Sequence, residues 1–112
     1  MRIRKKTELL EEDEILLIAD VSDALAHPAR VKLFQHIMEC NKNMTVVCNK
    51  DLVASFEYSQ ATISQHMKKL VNADLVQVKK EEKKSLYFAN IGTLSRYLTA
   101  TRKFNTFQAS EK

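Results

Sequence analysis

The chain has 112 residues, 45% of them apolar and 29% charged, enough for one small domain with a single core and too few for two. Its formal charge of +4 admits an anionic partner, and its single glycine, Gly92, excludes the glycine-rich loops that cradle phosphates in nucleotide-binding enzymes. No run approaches the roughly 20 apolar residues of a membrane helix, the start lacks the apolar segment of a secretory signal, and two cysteines fall short of a secreted disulfide framework. A single cytoplasmic domain over residues 1–112 with no membrane partner is therefore expected.

Residues 1–7 form a basic arm through Arg2, Arg4, Lys5 and Lys6, expected to be flexible, and seven acids from Glu8 to Asp23 follow with no base before Arg30. Within that acidic stretch Leu9, Leu10, Ile15, Leu16, Leu17, Ile18, Val21 and Leu25 predict a helix from Glu8 to Ala26 whose apolar side is wide enough for two surfaces. His27-Pro28 ends it and starts another, because the residue before proline avoids helical backbone and proline suits a first turn. Val31, Leu33, Phe34, Ile37 and Met38 give the second helix its inward side, and Asn41-Lys42-Asn43 closes it. Thr45, Val46 and Val47 read as a short strand.

Asn49 is a capping candidate for a short helix carrying Leu52, Val53 and Phe56, and Glu57-Tyr58 makes a turn. Ser59 caps the next helix, in which Ile63, Met67, Leu70 and Val71 fall at i, i+4, i+7 and i+8. Two short helices across a tight turn suggest a helix-turn-helix. Leu75 to Val78 and Ser85 to Phe88 then read as two strands around the charged tip Lys79 to Lys84. Ile91, Leu94, Tyr97, Leu98 and Thr101 predict a last helix reaching Phe104, and residues 108–112 read as a flexible tail. The fold class is mainly α with a small β-hairpin, an α+β winged helix-turn-helix flanked by terminal helices.

The helix after Ser59 turns Gln60, Ala61, Ser64, Gln65, Lys68 and Lys69 outward. Small and amide side chains near a helix start can reach base edges in a major groove, and lysines further along can hold phosphates or guanine. The same face also suits an ordinary amphipathic helix in water. Residues 59–84 hold six lysines against three acids, and Lys80, Lys83 and Lys84 place positive charge where a wing would meet a neighbouring phosphate strand.

ALAHPARVKLF, then SQATISQHMKKLVNADLV, then a charged hairpin ending SLYF together resemble the ArsR-type family of winged-helix transcriptional repressors over roughly residues 20–90. The resemblance implies a homodimeric repressor of bacterial or archaeal type on double-stranded DNA, and it places Ser59, Gln60, Thr62, Ser64, Gln65 and His66 on the recognition-helix motif. It also implies pairing through the first and last helices, in agreement with their surplus apolar surface. Leu9, Ile15, Leu16, Leu94, Tyr97 and Leu98 are the candidates for that interface.

Two departures bear on mechanism. Many members sense metals through a CVC stretch, which here reads Cys48-Asn49-Lys50 and supplies one thiol beside a cation, and the last helix lacks the Asp and His pairs of a second family site. No metal ligand and no cofactor are expected. Cys40 and Cys48 are redox candidates, although a buried structural cysteine is the commoner outcome.

His27, His36 and His66 stand in no spacing that assembles a nucleophile, base and orienting group, so no enzyme is expected. Two alternatives stay open beside sequence-specific repression: a winged-helix protein-docking module without specific DNA binding, and a DNA-binding regulator that answers thiol oxidation.

Overall fold

In the computed structural model, residues 9–107 are described. The basic arm at residues 1–7 and the tail at 108–112 lie outside them. Helix α1 spans Glu12–Ala24, shorter at both ends than the Glu8–Ala26 expectation. It starts where Glu14 Oε1 accepts the Glu11 N–H at 2.9 Å, and three acids in its first turn complement the helix dipole. Its last turn carries no basic residue. Arg30, on the following helix, supplies that charge by donating from Nε to the Ala24 carbonyl at 2.7 Å and from Nη2 to the Asp23 carbonyl at 3.3 Å.

Helix α2, Pro28–Lys42, begins as its sequence demands. Pro28 occupies the first turn, and His27 Nδ1 accepts the Ala29 N–H at 3.1 Å. Asn41 does more than close the helix, since its Oδ1 accepts the Ala89 N–H at 2.8 Å. Strand β1 is Val47–Cys48, displaced toward the C-terminus from the expected Thr45–Val47.

Helix α3 covers Asn49–Ser55 with Cys48, not Asn49, at its cap position. Asp51 Oδ2 accepts the Cys48 N–H at 3.0 Å. The Asn49 side chain is drawn away by a partner distant in sequence, accepting the Ser85 N–H at 3.2 Å. Helix α4, Gln60–Asn72, is capped by Ser59, whose Oγ accepts the Thr62 N–H at 3.1 Å.

Strands β2, Val76–Glu81, and β3, Lys84–Ala89, are antiparallel, and the sheet order is β1-β3-β2. Glu81 pairs with Lys84, so the six-residue charged tip expected from the sequence is mostly strand and only Glu82-Lys83 turns. The outer strand is exposed from Gln77 onward, an edge on which lysines sit without desolvation. Helix α5 runs Ile91–Arg102, and the last turn tightens into a 3₁₀ segment over Lys103–Phe107.

The core joins all of these elements except the 3₁₀ segment. Val21 of α1, Leu33 and Ile37 of α2, Val47, Leu52, Ile63, Met67, Leu70 and Leu75 are essentially inaccessible, and Tyr97 of α5 packs against them half-buried. The expected stripe of Ile63, Met67 and Leu70 is buried together. Because these three turn inward, the opposite side of α4 must face water.

Candidate nucleic-acid interface

The outward ridge of α4 consists of Gln60, Ala61, Ser64, Gln65 and Lys68, all exposed. Hydroxyl and amide groups occupy its first turns and the lysines its third. Two depressions flank the ridge, and Lys68 borders both. On the hairpin side a depression of about 270 Å³ is lined by Asn49, Ser64, Met67, Lys68, Val71, Val78, Lys80, Ser85 and Tyr87. On the α2 side one of about 430 Å³ is lined by Arg30, Gln65, His66, Lys68, Lys69 and Asn72. A helix is about 10–12 Å across and the B-DNA major groove about 12 Å wide, so a ridge with flanking hollows can enter the groove while phosphate strands run on either side.

Individual side chains divide by task. Ser59 and Thr62 hold the helix start, the Ser59 hydroxyl donating to Thr62 Oγ1 at 3.0 Å. His66 is half-buried and packs against other rings, its centroid 4.8 Å from that of His27 and 6.2 Å from that of Tyr58. Burial pushes its pKa below the ordinary imidazole value, and the nearby His27 and Arg30 charges push the same way. Lys80, Lys83 and Lys84 are exposed on the hairpin, where the neighbouring Lys79 is paired with Glu81 at 3.5 Å.

The terminal helices present a second surface. Ile15 is 46% exposed, Leu16 55% and Leu98 49%, and Leu9, ahead of α1, is 38% exposed. Leu94 and Tyr97, grouped with them from sequence, are half-buried in the chain's own packing, and the Tyr97 hydroxyl lies 3.1 Å from Ser22 Oγ. Ile91, Phe104 and Phe107 are also exposed. The helical period carried the signal for Ile91, which continues the apolar spacing of Leu94 and Leu98.

Cys40 and Cys48 are free thiols. Cys40 Sγ lies 3.6 Å from His36 Nε2, one helical turn away. Cys48 stands at the α3 cap position with the exposed Lys50 two residues on. Among the described residues no three His, Cys, Asp or Glu side chains are grouped to hold a metal. A tetrahedral thiophilic site draws several soft or imidazole donors to one point, and one thiol beside an ammonium group does not fit it.

Arg30 was not among the residues singled out from sequence. Beyond its two bonds to α1 carbonyls, its Nη1 lies 3.4 Å from His66 Nδ1. The Arg in HPAR gave no sign of this, because its partners lie in α1 and α4.

Three helices packed under an exposed fourth, with a twisted hairpin beside it, define a winged helix-turn-helix protein. Residues 27–78 match the family described as bacterial regulatory protein, arsR family, so the winged-helix segment of this chain is similar to a family of DNA-binding transcriptional regulators and not of enzymes. The chain is 32% identical over 73 residues to the arsenical resistance operon repressor of Staphylococcus xylosus, covering 65% of each chain, a little under two thirds. It is 28% identical over 89 residues to the repressor of the same description from Staphylococcus aureus, covering 80% of this chain and 81% of that one. Its fold is similar to that of an ArsR-like transcriptional regulator from Rhodococcus sp. RHA1, with a TM-score of 0.70, 17% identity and 83% coverage of both chains.

Proposed function

We propose that this protein is a homodimeric repressor that binds an inverted-repeat operator in double-stranded DNA through α4. The observation that carries the reading is the exposed ridge of Gln60, Ser64, Gln65 and Lys68, with amide and hydroxyl groups where base edges would lie and cations toward the helix end. Thr62 and Ser59 set the start of that helix, while Lys69, Lys80, Lys83 and Lys84 face the backbone on either side. His66 supports α4 from behind.

The exposed apolar residues of α1 and α5 pair two copies, so that two α4 helices stand about 34 Å apart, one turn of duplex. Leu9, Ile15, Leu16 and Leu98 form the centre of that interface, with Leu94 and Tyr97 at its base. Occupying a promoter in the cytoplasm then blocks transcription. The curated relatives are named for arsenical resistance, but the single thiol in Cys48-Asn49-Lys50 does not support the same effector here. We assign no metal ligand and no cofactor.

The test is fluorescence anisotropy against the duplex upstream of the protein's own gene, beside a random duplex, across salt concentrations. Saturation at two chains per site, a preference of about 10³ over random DNA and a steep loss between about 50 and 200 mM salt are the expected results. A salt-insensitive absence of binding to every duplex would replace this reading with a protein-docking module.

A further inference from the structure

The depression on the α2 side of α4 is cationic on every charged position. Arg30, Lys68 and Lys69 line it with His66, Gln65 and Asn72, and no acidic side chain does. Asp20 and Asp23 border a separate hollow on the other side of Lys69. Neither Arg30, Lys68 nor Lys69 takes part in an ion pair among the described residues. Three cations thus line one hollow with no carboxylate ion-paired to them among the described residues, an arrangement that favours an anion there.

Arg30 differs from the two lysines in being held. Nε and Nη2 each donate to a carbonyl at the end of α1, and Nη1 approaches His66 Nδ1. A guanidinium has five N–H groups in a fixed fork, so these contacts leave two donors unused while the plane is already oriented. An arginine immobilised in this way loses little side-chain freedom when it binds an oxyanion. Gln65 and Asn72, one on either side of the lysines, add amide N–H donors at the same rim.

The hollow also has a partner across the ridge. Lys80, Ser85 and Asn49 line the hairpin-side depression, and Lys68 is shared by both. With the ridge in a major groove, one backbone strand passes the hairpin side and the other passes Arg30.

We infer that the α2-side depression receives a backbone phosphate of the bound duplex, with Arg30 as its fixed anchor and Lys69 and Gln65 completing the contact. This assignment rests on the DNA-binding reading above. It adds to α4 and the hairpin a third point of attachment, donated by the start of α2. The α1–α2 junction thereby sits on the DNA through the same side chain that closes α1, so phosphate binding and the position of α1 share one guanidinium.

The experiment is the salt dependence of duplex affinity for the wild type, Arg30→Gln, Arg30→Lys and Lys69→Gln, each on the operator and on random DNA. Each phosphate contact contributes about 0.9 to the slope of log affinity against log salt. Arg30→Gln and Lys69→Gln are expected to flatten the slope by about that amount and to weaken both duplexes by an equal factor, on the order of three- to tenfold. Arg30→Lys, which keeps the charge and loses the fork, is expected to retain the slope. The Lys69 side chain is exposed and makes no hydrogen bond or ion pair among the described residues, so its variant reports even if Arg30→Gln unfolds.

Unchanged slopes in both neutral variants, with wild-type DNA binding intact, overturn the phosphate site and leave the repressor reading standing. Failure of the wild type to bind any duplex overturns both. A parallel titration of the free protein with inorganic phosphate, read at the Arg30 side-chain N–H and the His66 ring, separates the sources. Shifts with inorganic phosphate alone, and none with duplex, overturn the DNA assignment in favour of a small-anion site.

Discussion

Arg30 Nη1 lies 3.4 Å from His66 Nδ1 across a junction of three helices. A guanidinium only donates, so Nδ1 is the acceptor and the proton of the neutral ring belongs on Nε2. Protonating His66 would set two like charges face to face, with His27 a third ring nearby. The helix that carries the outward ridge is therefore held from behind by a histidine whose neutral form this contact favours.

This arrangement fixes a sign for pH dependence. The folded pKa of His66 lies below its unfolded value, so the unfolded chain binds the proton more tightly and stability rises with pH. Stability is fully present above the unfolded value near 6.5 and declines as pH falls through it toward the folded value. Thermal unfolding of the wild type between pH 5 and 8 should show this loss, and His66→Gln should remove part of the slope. An unchanged slope in the variant would assign the dependence to other groups.

Base reading and phosphate holding separate by mutation. Gln65→Ala and Ser64→Ala are expected to narrow the gap between operator and random duplex by about 1–3 kcal/mol of discrimination for a lost bidentate contact, less for the serine. Lys68→Ala should weaken all duplexes alike. Competition binding distinguishes the two, and equal losses on both duplexes for Gln65→Ala would remove it from the base-reading set.

The apolar face of α1 is the place to break the dimer. Leu16, more than half exposed in the single chain, would carry an unpaired carboxylate into the interface as Leu16→Glu, a cost of several kcal/mol where no partner meets it. Sedimentation should report a folded monomer, and operator affinity should fall by more than a hundredfold. A Leu16→Glu dimer would place the interface elsewhere.

Glu82 turns the hairpin with φ of 51°, a conformation that disfavours residues with a Cβ by about 1–2 kcal/mol. Glu82→Gly relieves that strain and adds chain freedom to the unfolded state, for a net gain of about 0.5–1 kcal/mol. The midpoint of thermal unfolding should rise by a few degrees. A fall would mean that the Glu82 side chain makes a stabilising contact at the tip.

Thiophilic ions are expected to leave DNA binding unchanged. Arsenite or Zn²⁺ at micromolar concentration meets one thiol at Cys48 and a lysine two residues on, not the several donors such ions require. Anisotropy of the operator complex with each ion, and with Cys48→Ser as a control, tests this. Release by arsenite that Cys48→Ser abolishes would restore a metal-responsive role.

Much of the fold was legible from residues within four positions of one another. Pro28 and His27 start α2, Ser59 starts α4, and Ile63, Met67 and Leu70 determine which side of α4 is buried, because helical period and capping are local physics. The outward ridge follows from the same spacing, because the residues between the buried positions of a helix face the other way. The tip departs from its local reading because a run of Lys and Glu reads as loop by composition, whereas pairing of Lys80 with Ser85 and of Glu81 with Lys84 makes most of it strand. Asn49 reads as a cap for the same local reason, and its oxygen instead accepts the N–H of Ser85, 36 residues away.

What the sequence determined by itself is thus the order of elements, the buried stripe of α4 and the family to which its segments are similar. Only the tertiary structure decided that Arg30 reaches the carbonyl ends of α1 and the ring of His66, that Asn41 bonds to Ala89, and that two hollows flank the ridge. These contacts join residues with no periodic relation along the chain. They arise when burial of the shared apolar core brings α1, α2, α4 and the sheet together, and polar groups at the seams then take the partners within reach.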